Sequence, residues 1–337
     1  MSSTHPLIDK RPRIGVTMGD AAGIGPEIVL KSLSEIEIIQ NVQPVVIGDG
    51  GVLSATARSL GIDLQVGELG SGSGVELVDL ANLDADIRPG EESAETGRAS
   101  GQYIEKAVQL WRENRIDAVA TAPISKKALN AGGYDYPGHT EFFAELTSTS
   151  EFAMSFFAGD LRVVLLSTHL PLATAIAKVK RDELIRLIRF SNKHLSALLN
   201  RPVRIAVAGL NPHASENGMF GTEEATEMIP AVEWCRNELG IDVAGPFSPD
   251  TIFLRGYRAE FDAVIASYHD QATIAVKSLS FGSAVNVTLG LPLIRTSVDH
   301  GTAIDIAGKG TADASSMTAA IKLAGELAGL QAQAAAI

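Results

Sequence analysis

The sequence predicts an α/β protein with a doubly wound, mostly parallel sheet, and two features of the chain lead to this prediction. Short apolar runs rich in β-branched residues alternate with helix-length amphipathic segments along the 337 residues. Such runs are typical of strands that helices cover on both faces. The apolar content of 45% is mainly aliphatic, since aromatic residues make up only 5%, and this balance suits helices packed closely on a sheet. The length allows two domains or one large α/β domain.

The strands and helices are predicted from the N-terminus onward. Arg13–Met18 is the first strand, and the glycine-rich stretch Gly19–Glu27 turns it into a helix whose first turn suits Pro26. The glycine spacing in this turn differs from the GxGxxG dinucleotide fingerprint. Ser125 is predicted to cap a later helix. The other predicted elements are strands at Pro44–Asp49 and Asp117–Pro123 and helices at Ala94–Asn114, Asp182–Leu199 and Thr222–Leu239.

Composition excludes several classes of partner. The formal net charge of −12 argues against a nucleic acid or an anionic membrane, because both require a basic surface. A single cysteine, Cys235, precludes an intrachain disulfide and is expected to pack in a helix. The polar N-terminus lacks the apolar core of a signal peptide, and no stretch is long enough to span a bilayer. We therefore expect a cytoplasmic protein.

Three of the predicted buried strands are each followed by a histidine. The carboxyl ends of parallel strands lie on one edge of a sheet, so three imidazoles placed there can converge on a divalent metal ion. One histidine in such a position is ordinarily a loop residue, but the repetition favours a metal site. The histidines and the runs that precede them are His169 after Leu161–Thr168, His213 after Val203–Pro212, and His269 after Phe261–Tyr268.

A second group of residues predicts a phosphate pocket. A Gly-His-Thr turn containing His139 and Thr140 precedes an apolar helix, where backbone N–H groups and an imidazole can bind an anion. Simple capping of the helix by Thr140 is the alternative. Lys277 and Arg295 are cations that flank apolar segments, and Asn286 lies in a strand-like run where a buried amide needs a partner.

The stretch Ser297–Gly310, called the Asp299 loop below, predicts a cofactor site. It resembles the loop with which isopropylmalate and isocitrate dehydrogenases hold the adenine end of NAD(P). Lys309 is the only basic neighbour of Asp305 within it, which favours NAD over NADP. The alternative is that this stretch only caps a C-terminal helix beginning near Asp313. The candidate cofactor-binding residues are His300, Gly301, Thr302 and Asp305.

From Met18 to Gly310, the chain resembles the 4-hydroxythreonine-4-phosphate dehydrogenase (PdxA) family of pyridoxal phosphate biosynthesis. The motifs that carry the resemblance follow the family's order. They are Met18–Asp20, Gly23–Glu27, Tyr136–Glu141, Ser167–His169, Asn211–Ala214, Tyr268–Gln271, Asn286–Pro292 and the Asp299 loop.

This resemblance implies a fold and an assembly. The fold would be two doubly wound α/β domains around a central cleft, as in isopropylmalate and isocitrate dehydrogenases. Residues 1–125 and 292–337 would form the cofactor side, and residues 126–291 the metal and substrate side with the dimer contacts. The chain would form a homodimer with shared active sites, in which the histidine set is shared across the interface.

The resemblance also implies a reaction and roles for the site residues. His169, His213 and His269 would bind Zn²⁺, Mg²⁺, Mn²⁺ or Co²⁺, and the five pocket residues would bind a phosphorylated hydroxy acid or hydroxy amino acid. NAD would oxidise its hydroxyl group, and the neighbouring carboxylate would leave as carbon dioxide. Asp250 and Asp270 are candidates for proton transfer or for orienting a ligand histidine.

The chain departs from the family pattern at a few positions. Ala21 stands where the family usually has proline, and Ala272, followed by Thr273, stands where it usually has glycine. Ala214–Gly221 and the pair Tyr136–Pro137 are more similar to a branch acting on 4-phospho-D-threonate or 4-phospho-D-erythronate. The sequence leaves the choice between these substrates and 4-hydroxy-L-threonine 4-phosphate open.

Two other functions are compatible with parts of the pattern. A three-histidine site with an open position can activate water, as in a metal hydrolase. The Asp299 loop argues against this, because a hydrolase needs no adenine site. A metabolite-binding homologue without turnover is the other alternative, if Ala272 and Thr273 impair catalysis.

Overall fold

The computed structural model describes residues 11–335 except 73, 85, 86 and 281. They form two compact units. The first unit combines the chain up to Asp135 with Gly301–Gly329, and the second combines Tyr136–His300 with the residues from Leu330. These units are defined by contacts within the chain and not by cofactor or substrate binding. The division into a cofactor side and a metal and substrate side, implied by the family resemblance, therefore stays a prediction.

The first unit contains five parallel strands in the order β3-β4-β2-β1-β5. The strands are β1 (Arg13–Thr17), β2 (Gln43–Gly48), β3 (Val66–Glu68), β4 (Val75–Asp79) and β5 (Ala118–Thr121). The helices are α1 (Gly25–Leu33), α2 (Ile36–Asn41), α3 (Gly50–Leu60), α4 (Ala94–Arg112) and α5 (Lys126–Ala131).

The central strands of this unit are apolar on both faces, as expected for strands covered by helices. Ile14 and Val16 on β1 and Val45 on β2 are fully buried. Pro26 occupies the first turn of α1, and the Ser125 hydroxyl accepts a hydrogen bond from the Ala128 N–H and caps α5. The predictions for these elements are confirmed.

The second unit contains seven strands in the order β12-β11-β6-β7-β10-β8-β9. β7, β10, β8 and β9 are parallel, whereas the pairs β6/β7, β6/β11 and β11/β12 are antiparallel. β6 and β7 are joined only by Gly159 and Asp160, and so short a connection requires antiparallel neighbours. The strands are β6 (Ala153–Ala158), β7 (Leu161–Leu165), β8 (Ile205–Ala208), β9 (Val243–Phe247), β10 (Ala263–Ala266), β11 (Val285–Leu289) and β12 (Ile294–Ser297).

The remaining helices follow the same alternation, and α12 lies mostly in the first unit. We find no candidate for a membrane span among the described helices, since none combines the necessary length with the necessary hydropathy. The helices are α6 (His139–Leu146), α7 (Leu172–Ala177), α8 (Arg181–Leu199), α9 (Ile229–Leu239), α10 (Pro249–Tyr257), α11 (His269–Ser280) and α12 (Ser315–Ala335). Short helical segments are Pro212–Glu216, Glu224–Met228 and Ile304–Ile306.

The core of the second unit lies between the parallel strands and the helices α10 and α11. Val264 on β10 is in register with Val163 on β7 and with Ala206 on β8. The carboxyl ends of these three strands are therefore level at one edge of the sheet. Cys235 is fully buried, as expected for a packing residue.

Candidate active site

The three histidines predicted as metal ligands follow β7, β8 and β10, which are neighbours in the order β7-β10-β8. Their placement at one edge of a parallel sheet agrees with the sequence-based expectation. The rings of His169 and His269 lie close together, with 5.5 Å between their centroids. His169 and His213 are exposed, and His269 is half-buried.

A single chain does not by itself assemble the three-histidine site. Among the residues that the structure describes, no three histidine, cysteine or carboxylate side chains lie close enough together to hold a metal ion. The ring of His213 lies 6.3 Å from that of Phe220. The metal site stays a prediction, and the family resemblance expects its ligands to come from two chains.

Asp270 fixes the orientation of the His269 ring. Its Oδ1 lies 2.7 Å from His269 Nδ1. A carboxylate in this position favours the neutral tautomer with the proton on Nδ1, which leaves the Nε2 lone pair available to a metal ion. This geometry favours a role for Asp270 in orienting His269 over a role in proton transfer.

Gln271 links two of the loops that carry histidines, a role that sequence reasoning missed. Its side-chain oxygen accepts a hydrogen bond from the Ser267 N–H, and its amide donates to the Gly209 carbonyl; both distances are 2.7 Å. Ser167 donates to the Ser267 carbonyl at 2.9 Å. These bonds join the ends of β7, β10 and β8. The only signal in the sequence is the glutamine's place in the His-Asp-Gln motif.

Arg295 is the centre of the predicted phosphate pocket. The residue is 2% exposed, and its guanidinium donates to the hydroxyls of Thr140 at 3.4 Å and Thr288 at 3.1 Å. It also lies over the Phe143 ring, 5.9 Å from the centroid. Burial lowers the pKa of Arg295 to about 9, with the Glu141 carboxylate opposing the shift, so the side chain stays cationic at neutral pH. A desolvated cation of this kind favours an anionic ligand.

His139 and Asn286 add two buried polar atoms that have no hydrogen-bond partner among the described residues. These are His139 Nε2 and Asn286 Oδ1. Burial, followed by the charge of Arg295, holds the pKa of His139 well below its usual value. Asn286 and Thr288 are two residues apart on β11, so their side chains lie on the same face of the strand. Thr288 contacts Arg295. Unpaired buried groups of this kind require an explanation, and a bound ligand provides one.

Lys277 has a different partner from the residues around Arg295. Its ammonium forms an ion pair with Asp299 at 3.1 Å, and its side chain is 57% exposed. The structure therefore brings together Arg295, Thr140 and His139, and pairs Lys277 with the start of the Asp299 loop.

The part of the Asp299 loop that belongs to the first unit packs on the glycine-rich turn. The Thr302 carbonyl accepts a hydrogen bond from the Ile24 N–H at 2.9 Å. A Cβ on Gly23 would lie 2.8 Å from the Thr302 Cβ, so only glycine allows this approach. A Cβ on Gly301 would meet nothing within 4 Å. The backbone at Gly301 thus borders open space, as a cofactor-binding backbone must, and Asp305 is also exposed.

Glu27 anchors the far end of the same loop, and sequence reasoning missed this role as well. The carboxylate is 3% exposed and accepts hydrogen bonds from the N–H groups of Gly310 at 3.2 Å and Ala312 at 2.8 Å. Lys31 forms an ion pair with Glu27 at 2.7 Å and donates to the carbonyls of the same two residues. The end of the loop is thus held by α1, and just beyond it the Asp313 carboxylate accepts a hydrogen bond from the Ser315 N–H at the start of α12.

A cavity of about 520 Å³ lies in the first unit beside Gly308 of the Asp299 loop. Its walls come from the start of α1, from α3 and from the segment before α4. Arg58 is the one lysine or arginine among the described residues that line it. The cavity is large enough for part of a dinucleotide.

The other sequence expectations concern isolated residues. Asp250 lies in the first turn of α10, where its carboxylate accepts a hydrogen bond from Ser248 at 2.5 Å. Its role in proton transfer stays a prediction. Ala272 belongs to the hydrophobic core of the second unit, and Thr273 and Ala21 are also buried. These departures from the family pattern therefore lie at buried positions.

Comparison with known proteins finds similarity along nearly the whole chain. The family described as pyridoxal phosphate biosynthetic protein PdxA matches residues 40–324. The chain is 45% identical over 331 residues to the D-threonate 4-phosphate dehydrogenase of Cupriavidus necator, covering 96% of this chain and 99% of that protein. It is 44% identical over 327 residues to the 4-hydroxythreonine-4-phosphate dehydrogenase of Desulforapulum autotrophicum, covering 94% and 96%. The crystal structure of a 4-hydroxythreonine-4-phosphate dehydrogenase from Burkholderia phymatum matches with a TM-score of 0.83 at 44% identity, covering 94% and 98%.

Proposed function

This chain belongs to the PdxA family, and from that membership we propose an NAD-dependent and metal-dependent oxidative decarboxylation of a small 4-phosphorylated 3-hydroxy acid. The observation that carries the proposal is the buried cluster around Arg295. A desolvated guanidinium beside His139 Nε2, which can donate in the tautomer protonated at that nitrogen, suits a phosphate monoester. Asn286 Oδ1 is an acceptor and suits a hydroxyl or ammonium group of the same substrate.

The chain's own residues hold and orient the substrate. Arg295 and Thr140 would bind the phosphate, with His139 at the same pocket. This anchoring would fix the position of the substrate hydroxyl relative to the histidine edge of the sheet, which lowers the entropic part of the barrier. Asp270 would hold the His269 ring so that its Nε2 faces the metal ion.

The nitrogen ligands suit a divalent metal ion, with His169 and His269 from one chain and His213 from the second chain of a homodimer. When bound, the metal supplies a Lewis acid for the substrate hydroxyl and NAD⁺ supplies the hydride acceptor. The overall change is from a 3-hydroxy acid and NAD⁺ to a 3-keto acid, NADH and a proton. The 3-keto acid would then lose its carboxylate as carbon dioxide, and the resulting enolate would take up a proton at the carbon that bore the carboxylate.

Exposed apolar side chains support the homodimer. Leu170, Leu172 and Ile176 follow His169 and are 41%, 57% and 39% exposed. Met219 and Phe220 follow His213 and are 73% and 46% exposed. Apolar surface directly beside the histidines suits burial against a second chain, which would complete the site.

The substrate remains one of two chemical types. One is 4-hydroxy-L-threonine 4-phosphate, and the other is 4-phospho-D-threonate or 4-phospho-D-erythronate. Relatives named for both types of activity are almost equally similar to the chain, at 44% and 45% identity. The segment Ala214–Gly221 favours the threonate and erythronate branch.

The proposal is tested by NADH formation with the purified protein and each phosphate, before and after removal of divalent metal with a chelator. We expect turnover of at least one phosphate, its loss on chelation and its recovery on adding metal back. Release of inorganic phosphate without NADH would indicate the hydrolase. Tight binding of substrate and NAD without turnover would indicate the non-catalytic homologue.

A further inference from the structure

The backbone that carries His213 has an unusual conformation. Five successive non-glycine residues, His213 to Asn217, have φ values between +44° and +67°. L-residues avoid this left-handed region because their Cβ approaches the carbonyl oxygen. A run of such residues persists only where surrounding contacts determine it, and it occurs mainly at functional sites.

Glu224 provides such contacts just before this turn. Glu224 is 1% exposed. Its Oε1 accepts hydrogen bonds from the N–H groups of Leu210 at 2.8 Å and Asn211 at 2.7 Å. Its Oε2 accepts a third bond from the Asn211 side-chain amide at 2.8 Å. A buried carboxylate with three donors is a strong and directional anchor, because each bond is charge-assisted.

The anchor lies close to His213 along a stiff path. Only Pro212 separates Asn211 from His213, and proline fixes its own φ. The Asn211 carbonyl also accepts a hydrogen bond from the Ala214 N–H at 3.1 Å, across the histidine. A change in the position of Asn211 must therefore move His213.

The loop that follows the turn packs on the same anchor. Gly221 has φ +138°, and a Cβ there would lie 2.6 Å from the Asn211 amide nitrogen and 2.7 Å from Glu223 Oε2. The Asn211 amide donates to Glu223 as well as to Glu224. The chain before the left-handed turn and the chain after it thus both lie against the start of one helical segment.

We propose that Glu224 is the positioning residue that holds the left-handed turn and sets the direction of His213 toward its metal ion. This inference rests on the proposed function, since it takes His213 as a metal ligand. Glu224 itself touches neither metal nor substrate in this role. It acts by fixing the backbone from Leu210 to His213.

The test compares Glu224→Gln, Glu233→Gln and His213→Ala in the full-length protein, with Co²⁺ alone as the probe. Glutamine keeps the size of Glu224 but presents an N–H₂ group to the Asn211 amide, so one bond becomes a clash of donors. Glu233 is exposed on α9, so its replacement makes the same charge change away from the turn. The measurements are the Co²⁺ dissociation constant, the visible absorption of the Co²⁺-saturated protein, and the thermal midpoint.

We expect Glu224→Gln to weaken Co²⁺ binding about tenfold to a hundredfold, as removal of outer-shell partners commonly does. Its saturated Co²⁺ spectrum should also change, which general loss of stability would not cause. Glu233→Gln should match the parent in both. If Glu224→Gln matches the parent while His213→Ala loses the metal, the inference is wrong and the proposed metal ligand stands. If His213→Ala itself binds Co²⁺ as the parent does, the proposed function loses its metal site, and this inference falls with it.

Asn211→Ala provides a second test should Glu224→Gln fail to fold. It removes the side-chain bond to Glu224 and leaves the two backbone bonds in place. A weaker but measurable loss of Co²⁺ affinity, with a changed spectrum, is expected. Parent-like affinity and spectrum in folded Asn211→Ala would overturn the inference.

Discussion

At the scale of single residues, the second unit buries polar atoms whose hydrogen-bonding capacity is incompletely used. His139 on α6 is far in sequence from Asn286 on β11 and Arg295 on β12, but all three lie in one unit. The desolvation cost of these groups is met during folding, so binding of the proposed phosphate would not include it. Such pre-organisation would explain a polar pocket that is otherwise unfavourable to stability.

Replacing Arg295 should weaken binding of the phosphorylated substrate. Arg295→Met keeps most of the buried volume but removes the charge. We expect a loss of about 1.5–3 kcal/mol, or roughly tenfold to over a hundredfold in affinity. Isothermal titration with the phosphorylated substrate and with its unphosphorylated analogue checks this, since only the first should be affected. Lys277→Met is the comparison, and its effect should be smaller because Lys277 is exposed and paired with Asp299. Parent-like affinity in Arg295→Met would place the phosphate elsewhere.

His139 should make stability depend on pH. Burial and Arg295 lower the pKa of His139 well below 6.5, its ordinary value. In the unfolded chain the imidazole takes up a proton below about pH 6.5, whereas in the folded protein it stays neutral to a lower pH. The free energy of unfolding should therefore fall with decreasing pH, by about 1.4 kcal/mol for each pH unit between the two pKa values. Urea unfolding of the parent and of His139→Gln should show a smaller pH dependence in the variant. At pH 8 both side chains are neutral, so the difference there reports packing alone. Equal pH dependence in the two proteins would contradict the assignment.

At the scale of elements, each unit uses a buried glutamate to hold a loop of a candidate site. Glu27 on α1 anchors the end of the Asp299 loop, and Glu224 anchors the backbone before His213. In both cases the glutamate carboxylate accepts hydrogen bonds from backbone N–H groups that have no partner in a strand or helix. Loops held in this way can present backbone to a ligand without a large entropic penalty on binding.

A side chain added at Gly301 should block the cofactor without disturbing the fold. A Cβ there meets nothing within 4 Å, and the same is true of Gly329 on α12. Gly301→Leu should therefore lower NAD affinity at least tenfold, by occupying the space where the adenosine would lie. Gly329→Leu, the matched control, should bind NAD like the parent. NAD binding by fluorescence titration, with metal content and thermal midpoint measured in parallel, distinguishes these outcomes. Unchanged NAD affinity in folded Gly301→Leu would remove the main support for the cofactor site.

At the scale of the whole molecule, the proposed three-histidine metal site would need a second chain. His169 and His269 lie side by side, whereas the described residues of one chain contain no group of three metal-binding side chains. The exposed apolar residues after His169 and His213 point to a second chain as the source of the missing ligand. The proposed homodimer would then have two equivalent shared sites.

Mixing two inactive variants should test whether the sites are shared. His213→Ala and His269→Ala would each lack one ligand in every site of their own dimers. In a mixed dimer, one of the two sites would combine the intact His169 and His269 of one chain with the intact His213 of the other. Reassembly of an equal mixture should thus recover about a quarter of the parent activity, since random pairing makes about half of the dimers mixed. NADH formation after subunit exchange is the measurement.

The matched control mixes His169→Ala with His269→Ala. His169 and His269 of a site would come from the same chain, and each variant chain lacks one of the two. No combination of these chains therefore restores a complete site. Recovery in this control, or no recovery in the first mixture when mixed dimers are shown to form, would contradict a site shared in this way.

The sequence by itself determined the fold class, the family and the strands that carry the three histidines. The apolar runs of β7, β8 and β10 and the helical period of α4 are local, so a single chain reveals them. The observed α4, Ala94–Arg112, begins at the predicted residue and ends two residues before the predicted end. The motif order likewise led to the PdxA family and to a dehydrogenase, and both conclusions are confirmed.

Which of these residues contact one another depends on the tertiary structure. Glu27 and Ala312 are 285 positions apart, and Gln271 and Gly209 are 62 apart. The antiparallel pairing of β6 with β11, the left-handed turn at His213 and the close approach of His169 to His269 have no local pattern either. Such contacts depend on where distant strands and loops come to lie in the folded chain, and periodicity within a segment carries no information about that.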